Sequence, residues 1–513
     1  MEEDNTVAES AGRSVWGSKL GFILAASGSA IGLGNIVFFG SNAYRYGGGA
    51  FYVPYFVALF ALGIPMMIVE MGLGQTQRAA FPAAMNKTTG KKGEFFAWWS
   101  LLNAIVIAMY YITLLAWVGT MMVKSFGPLF DDGVGKTFGS VLGSWTPMVW
   151  VFIIWALNAV FLSRGTATIE KTVKVFVPLM WAFMLMLVVR GLTLKNGLQG
   201  VWYLFTPNFA GIQDASVWQG AFSQMFFSLS LGLGTMTAYA SYLPRKADVV
   251  TNGAMVSFMN CGFEFVAGLA IFSMLFSFSL QPTASTLGMS FVVVPTGIGH
   301  FPAAQSLFAG MFFFLLLIAG LTSSISIIES PVAALKDKFG WSRSKSLTLV
   351  SVFGIAGSLV FALPMMLEKG GADGAPLGIS LLDLTDHWAF GYSLLVVGLV
   401  EALFIGHIYG AGKLRVQLNE NARFKLPRYF DTHIKYVVPA LVSIVLLFVI
   451  LKELNISVGW LGLEGKGFYQ GDGPFDGLAW LPKLIFAVWL LLTVGGSFIL
   501  TRTGGYEHEG GAS

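Results

Sequence analysis

Apolar residues in this chain fall into long blocks separated by short polar stretches, and most blocks show neither the strand period of two nor a one-sided helical stripe. Blocks of this length cross a hydrocarbon core of roughly 30 Å, and they predict about twelve helices. In the first half their cores are Leu20 to Phe39, Phe51 to Leu73, Ala97 to Val123, Pro147 to Leu162, Val173 to Val189 and Phe222 to Tyr242. In the second half they are Ala254 to Leu280, Phe308 to Leu335, Leu347 to Leu367, Trp388 to His407, Tyr436 to Leu451 and Leu481 to Leu500.

Composition agrees: 55% of residues are apolar and only 11% are charged, which excludes a soluble globular domain. No block ends in a small-residue cleavage site, so the first helix is expected to stay in the mature protein. Lysine and arginine concentrate in alternate loops, at Arg78, Lys87, Lys91, Lys92, Arg164, Lys171, Lys174, Arg245, Lys246, Lys336, Lys338, Arg343, Lys345 and from Lys413 to Lys435. That bias predicts a multi-pass protein of the cell membrane with both termini cytoplasmic. The net charge of +4 follows from the same loops and implies no nucleic-acid partner. A single cysteine, Cys261, excludes a disulfide within the chain and reads as a packed thiol.

Two blocks are interrupted. "SGSAIGLGNIVFFG", from Ser27, and "FFSLSLGLGT", from Phe226, each carry Gly-Leu-Gly near the middle, roughly 200 residues apart. Close packing through small residues explains many membrane glycines. Interruptions in paired positions point further, to two five-helix repeats, the second inverted, followed by two extra helices. The expected organisation is a tail over 1–12, repeats over 13–195 and 196–411, two helices over 412–502 and a tail over 503–513. Non-helical backbone at membrane depth persists where it lines a cavity, and its freed amides and carbonyls attract anions and cations.

Sodium takes hard oxygen ligands, and two groups of candidates sit near the breaks. One holds Asn35, Ser228 and Asn260; the other holds "AGLTSS", where Thr322 and Ser323 could meet carbonyls near Gly28. Back-bonding of each hydroxyl to its own helix is the competing explanation. Glu264, one turn past Asn260, is an intramembrane acid and so a candidate functional group. Glu70, Glu329 and Glu401 are expected to bond backbone freed by irregular helices.

The stretches "SGSAIGLGN", "YGGGAFYVPY", "GIPMMIVEMGLGQ", "FFSLSLGLGT", "YASYLPR", "AGLTSSIS" and "LLDLTDHWAF" together resemble the neurotransmitter:sodium symporter family, particularly its bacterial amino-acid members. The resemblance implies an all-α membrane protein with a LeuT-like 5+5 inverted repeat, first and sixth helices broken, and two C-terminal helices. It implies two sodium ions. The first would be held by the Ala30 carbonyl, Asn35, Ser228, Asn260 and the substrate carboxylate; the second by carbonyls of Gly28, Ile31 and Ala319 with Thr322 and Ser323. Ala30, Gly32, Leu33, Gly34, Ser228 and Tyr111 would take the backbone end of an amino acid, and Phe227 would close over it. Ile107, Ser230, Leu233, Ser323 and Ile327 would line the side-chain region, an apolar setting for an aliphatic or aromatic group. Gly32 stands where monoamine members carry aspartate, which argues against a monoamine. An acid at Glu264 resembles chloride-independent members and makes that residue a candidate proton carrier. Arg13 with Asp337, supported by Ser241 and Tyr242, resembles the inner gate; Tyr111, Phe227 and Asp386 belong to the outer one.

The chain departs from the pattern in two places. The outer-gate arginine is missing, since that stretch reads Phe38, Phe39, Gly40, while Asp386 is kept. Asp386 then faces water, is protonated, meets another base such as Arg45, or contacts the solute. In the fifth helix Pro178 is kept but Thr168 replaces a glycine thought to help unwinding. The expected function is sodium-driven symport of a neutral, hydrophobic amino acid by alternating access, without chloride and with proton counter-transport as an option. The runner-up is another amine-bearing or zwitterionic solute such as a betaine or imino acid. A sodium-binding channel or receptor is the alternative outside transport. With five histidines, one cysteine and no HExxH motif, nothing supports an enzyme. Membrane lipid, a small-molecule substrate and a second copy of the chain (a homodimer) are the partners in view.

Overall fold

A computed structural model describes residues 14–283, 285–367, 377–459, 465 and 480–506. Each apolar block forms a crossing. Nine helices among the described residues are long and apolar enough to span a membrane, and two bent pairs add to them, Lys19–Ala30 with Gly34–Arg45 and Val134–Leu142 with Thr146–Leu162. The sixth crossing consists of Ala215–Ser228 and Thr235–Ala240, halves too short to count alone. The third (Phe81–Lys124) and eighth (Gln305–Phe339) spans pack together over much of their length and form the centre of the bundle. Along the eighth, 89% of the most apolar window is buried in protein; along the twelfth (Trp480–Arg502) only 17% is, so that helix faces lipid.

The sequence reading placed the twelve cores but read the connections as loops. Three of these are helical: Val134–Leu142, Gly197–Phe205 and Thr286–Gly299. The last is too short to span a bilayer and carries Pro295 near its middle. The fifth span runs from Thr166 through Pro178 to Leu192, so Thr168 lies in its first turn.

One face of the bundle, here the near face, is closed by polar contacts between distant segments. Trp16 donates its indole N–H to the Tyr239 carbonyl at 2.8 Å. Glu170 of the fifth span accepts from the Ser18 hydroxyl at 2.6 Å and the Gly17 amide at 2.9 Å. Glu329 is clamped by the Arg343 guanidinium and receives the Tyr242 hydroxyl at 2.7 Å. Its partners are thus side chains, not the freed backbone expected from sequence. Asp337 accepts the Ala80 amide at 2.7 Å, whereas Arg13 lies outside the described residues. A buried pair, Lys338 and Glu94 at 2.6 Å, is covered by Tyr506, which donates to Glu94 at 2.9 Å and lies beneath the Lys338 ammonium.

Second and sixth spans approach so closely that a side chain at Gly74 would begin 2.1 Å from the Thr237 carbonyl oxygen. Backbone cannot yield as a flexible side chain does. Gly74→Ala should therefore destabilise the protein by about 1–3 kcal/mol, the usual cost of overpacking. The readout is the thermal unfolding midpoint in detergent, and an unchanged midpoint would show that these spans separate freely.

Candidate ion and solute site between the broken spans

In the first span Ile31 is extended (φ −75°, ψ 96°), and the helix axis turns by 58° across the gap to Gly34. The freed amides find side chains. Gly32 N–H goes to Asn35 Oδ1 at 2.8 Å, and Leu33 N–H to the Tyr111 hydroxyl at 3.3 Å. Asn35 N–H turns back to the Gly32 carbonyl at 3.2 Å. In a continuous helix Gly32 and Asn35 would donate to the carbonyls of Gly28 and Ile31. Their diversion leaves those two oxygens without helical donors, which is what a cation site requires.

The sixth span breaks over Ser230 to Gly234, where Ser230, Gly232 and Gly234 have φ of +53°, +76° and +65°. Serine rarely adopts this left-handed geometry, so Ser230 marks a constrained position. Partners for this backbone come from neighbouring spans: Glu70 accepts Gly232 N–H and Ser100 donates to its carbonyl, each at 2.7 Å. Glu70 thus does what sequence suggested. Glu401 lies beside it, with no hydrogen bond to either of its oxygens among the described residues.

Around the breaks two polar groups assemble. Asn35 donates to Asn260 Oδ1 at 2.8 Å and to Ser228 Oγ at 3.1 Å, and Asn260 donates to the same Ser228 oxygen. Gly28 faces Thr322, whose Cβ lies 3.4 Å from where a Gly28 side chain would begin. Thr322 donates to the Ala319 carbonyl at 2.9 Å, and Ser323 sits against Gly32. Fully buried Glu264 receives the Tyr55 hydroxyl and, at 2.8 Å, the Gln224 amide. Cys261 is buried, with the Tyr55 hydroxyl 3.1 Å from its sulfur. Among the described residues, no three His, Cys, Asp or Glu side chains cluster as transition-metal ligands would.

A cavity of about 530 Å³ runs from Asn35, Ser228, Gln224 and Ser323 to exposed Asp383 and Ser285 at the far face, and every residue expected to line the solute site lines it. So does Asp386, but its partner is neither Arg45 nor water alone: the Tyr110 hydroxyl donates to it at 2.6 Å. Arg45 lies instead over the Tyr46 ring. Sequence reasoning missed Tyr110, Phe38, Asp383, His387, Phe390 and the Ser285–Phe291 stretch as cavity walls. For Tyr110 the signal was "MYYI", two adjacent hydroxyls on one helix of which only the second was assigned. Ser285 and Thr286 lay in a segment too short to read as a span.

The model of the sodium:neurotransmitter symporter family matches residues 13–131 and 132–459. An uncharacterised sodium-dependent transporter of Methanocaldococcus jannaschii is 36% identical over 94% of this chain and 97% of its own. The human sodium- and chloride-dependent GABA transporter 2 is 27% identical over 96% of this chain and 88% of its own. The crystal structure of MhsT in complex with L-phenylalanine matches with a TM-score of 0.75 at 27% identity, covering 85% of this chain and 99% of that one.

Glu70→Ala would leave the Gly232 amide buried without an acceptor, at a cost of about 1–3 kcal/mol, whereas Glu70→Gln keeps an acceptor oxygen. Thermal unfolding should place the alanine variant well below wild type and the glutamine variant between them. Equal midpoints for all three would remove Glu70 from the support of the break.

Proposed function

This chain belongs to the sodium:neurotransmitter symporter family, and on that premise we propose that it imports a neutral, hydrophobic amino acid together with two sodium ions, without chloride. The protein is a multi-pass membrane transporter that depends on sodium and binds a small-molecule substrate. The observation that supports the finer reading is that Ala30, Asn35, Ser228 and Ser323, drawn from both sodium-ligand sets, line one cavity between the breaks.

In this reading the near face is cytoplasmic, with both termini, and the cavity opens outward. Asn35, Ser228, Asn260 and the Ala30 carbonyl hold one ion next to the substrate carboxylate. Carbonyls of Gly28, Ile31 and Ala319 with the Thr322 and Ser323 hydroxyls hold the second. Leu33 N–H and the Tyr111 hydroxyl, bonded to each other without solute, would turn to the carboxylate, and Ile107, Leu233 and Ile327 would form the apolar wall. The L-phenylalanine bound in the MhsT complex supports a solute of this kind. Each sodium charge crossing the membrane contributes about 2.3 kcal/mol per 100 mV.

Alternating access would rock the broken spans against the rest, each five-helix half (13–195 and 196–411) contributing one. Outward closure would break Trp16–Tyr239 and Tyr242–Glu329 on the opposite face, together with the expected Arg13–Asp337 pair. The Glu264 carboxylate occupies donors, Tyr55 and Gln224, that an anion would otherwise use. This supports chloride independence and a proton carried back on Glu264. A second solute class, amine-bearing or zwitterionic compounds such as a betaine or imino acid, is favoured by Asp383 and Asp386 in the same cavity.

Uptake of radiolabelled amino acids into proteoliposomes tests this reading. Concentrative uptake of Leu, Ile, Val, Met or an aromatic amino acid should require sodium and persist when gluconate replaces chloride. Failure of the whole panel, with sodium still raising the unfolding temperature, would keep the ion sites and overturn the solute. Thr322→Val combined with Ser323→Ala should abolish most of the sodium-induced stabilisation. Glu264→Ser should make uptake depend on chloride; uptake by that variant without chloride would contradict the role given to Glu264.

A further inference from the structure

We propose that the outer lid of this cavity is a cluster of three rings, Phe38, Phe227 and Phe390, in which Phe38 and Phe390 replace an ion pair as the closing contact. The inference rests on reading the cavity as the solute path.

Each ring comes from a different span: Phe38 from the first, Phe227 from the sixth and Phe390 from the tenth. Phe227 and Phe390 stack with centroids 4.6 Å apart at 27°, and Phe38 meets Phe227 at 6.4 Å and 51°. These separations fall in the range where aromatic pairs attract. All three are only half-buried, because they line the cavity and are not packed in the core.

Local backbone supports this placement. Phe38 ends a π-helical turn, Gly34–Phe38, and Phe390 lies within another, His387–Tyr392. A π turn inserts an extra residue and re-aims the side chains that follow, and such turns are frequent at functional positions. Two such turns deliver two rings to the same third ring.

The charged alternative lacks its parts. No lysine or arginine lines the cavity among the described residues. The acid beside the cluster, Asp386, is held by the Tyr110 hydroxyl at 2.6 Å. His387, the nearest base, turns to Glu453 of the eleventh span (Tyr429–Glu453) at 2.9 Å. The rings, already in contact, therefore close this end without a charge pair and keep water from their mutual faces, while the Tyr110 hydroxyl satisfies Asp386. Phe38 and Phe390 are positioning residues: they hold Phe227 over the solute and favour solutes whose apolar side chain can extend the cluster.

The test needs no transported solute. A cysteine placed below the rings, Ile327→Cys, is labelled from the outside with a membrane-impermeant thiol reagent in sodium. The wild-type protein, with Cys261 buried, gives the background. Phe38→Ala and Phe390→Ala should each speed labelling by about 2- to 10-fold, the factor to which one ring contact converts. Phe390→Tyr keeps the ring and should label at the parent rate, and Asp386→Asn should do the same. Monodisperse elution on size exclusion identifies folded variants, and Phe390→Leu, expected between alanine and parent, replaces an alanine variant that fails this criterion. Labelling that ignores both rings, or that Asp386→Asn accelerates as much as ring removal does, would overturn the proposal. Ring-dependent labelling without uptake of any amino acid would leave the lid standing and sink the substrate assignment; uptake with ring-independent labelling would do the reverse.

Discussion

Both breaks in the spans of this protein answer to one constraint: inside a membrane, a backbone amide or carbonyl that leaves a helix must find another partner. At Ile31 to Gly34 and at Ser230 to Gly234 the chain breaks two helices, and the surrounding spans supply what is missing. Asn35, Tyr111, Glu70 and Ser100 take up amides and a carbonyl that would otherwise be orphaned. The oxygens of Gly28 and Ile31 are among those that lose their helical donors, and Gly28 lies beside Thr322 of the eighth span. The proposed ion site is thus a remainder, the part of the break that protein hydrogen bonds would leave to a cation.

The two ends of the molecule solve closure with different chemistry. The near face uses charges and long side chains: Arg343 on Glu329, Lys174 on Glu170, Lys338 on Glu94 under Tyr506. Such contacts are geometrically exacting, since a buried charge separated from its partner is costly. The far end places its rings in a water-accessible cavity, where separating them costs far less than orphaning a charge.

Most of the architecture was legible because membrane spans are written in block length alone. The twelve cores and the two breaks followed from hydropathy and glycine placement, while the cavity-lining residues around them followed from the family resemblance. What was not legible depended on partners far apart in sequence. Tyr110 and Asp386 are 276 residues apart, and nothing in "MYYI" states which hydroxyl faces the tenth span. Glu329 is bonded by Arg343 and Tyr242, a choice set by helix packing and invisible in the local pattern. The short helices over Val134–Leu142 and Thr286–Gly299 were missed because their length falls below the spanning threshold that made the rest readable.

The clustered rings at the far end also carry a thermal signature. Contacts made by expelling water from apolar surface have a large heat-capacity change and weaken on cooling, whereas a bond such as Tyr110–Asp386 does not share that dependence. With phenylalanine on the first, sixth and tenth spans, warmth favours contact between the rings and cold favours their separation. Two relatives with the same ion ligands but different residues at the Phe38 position would accordingly differ in the temperature at which they hold the far end shut.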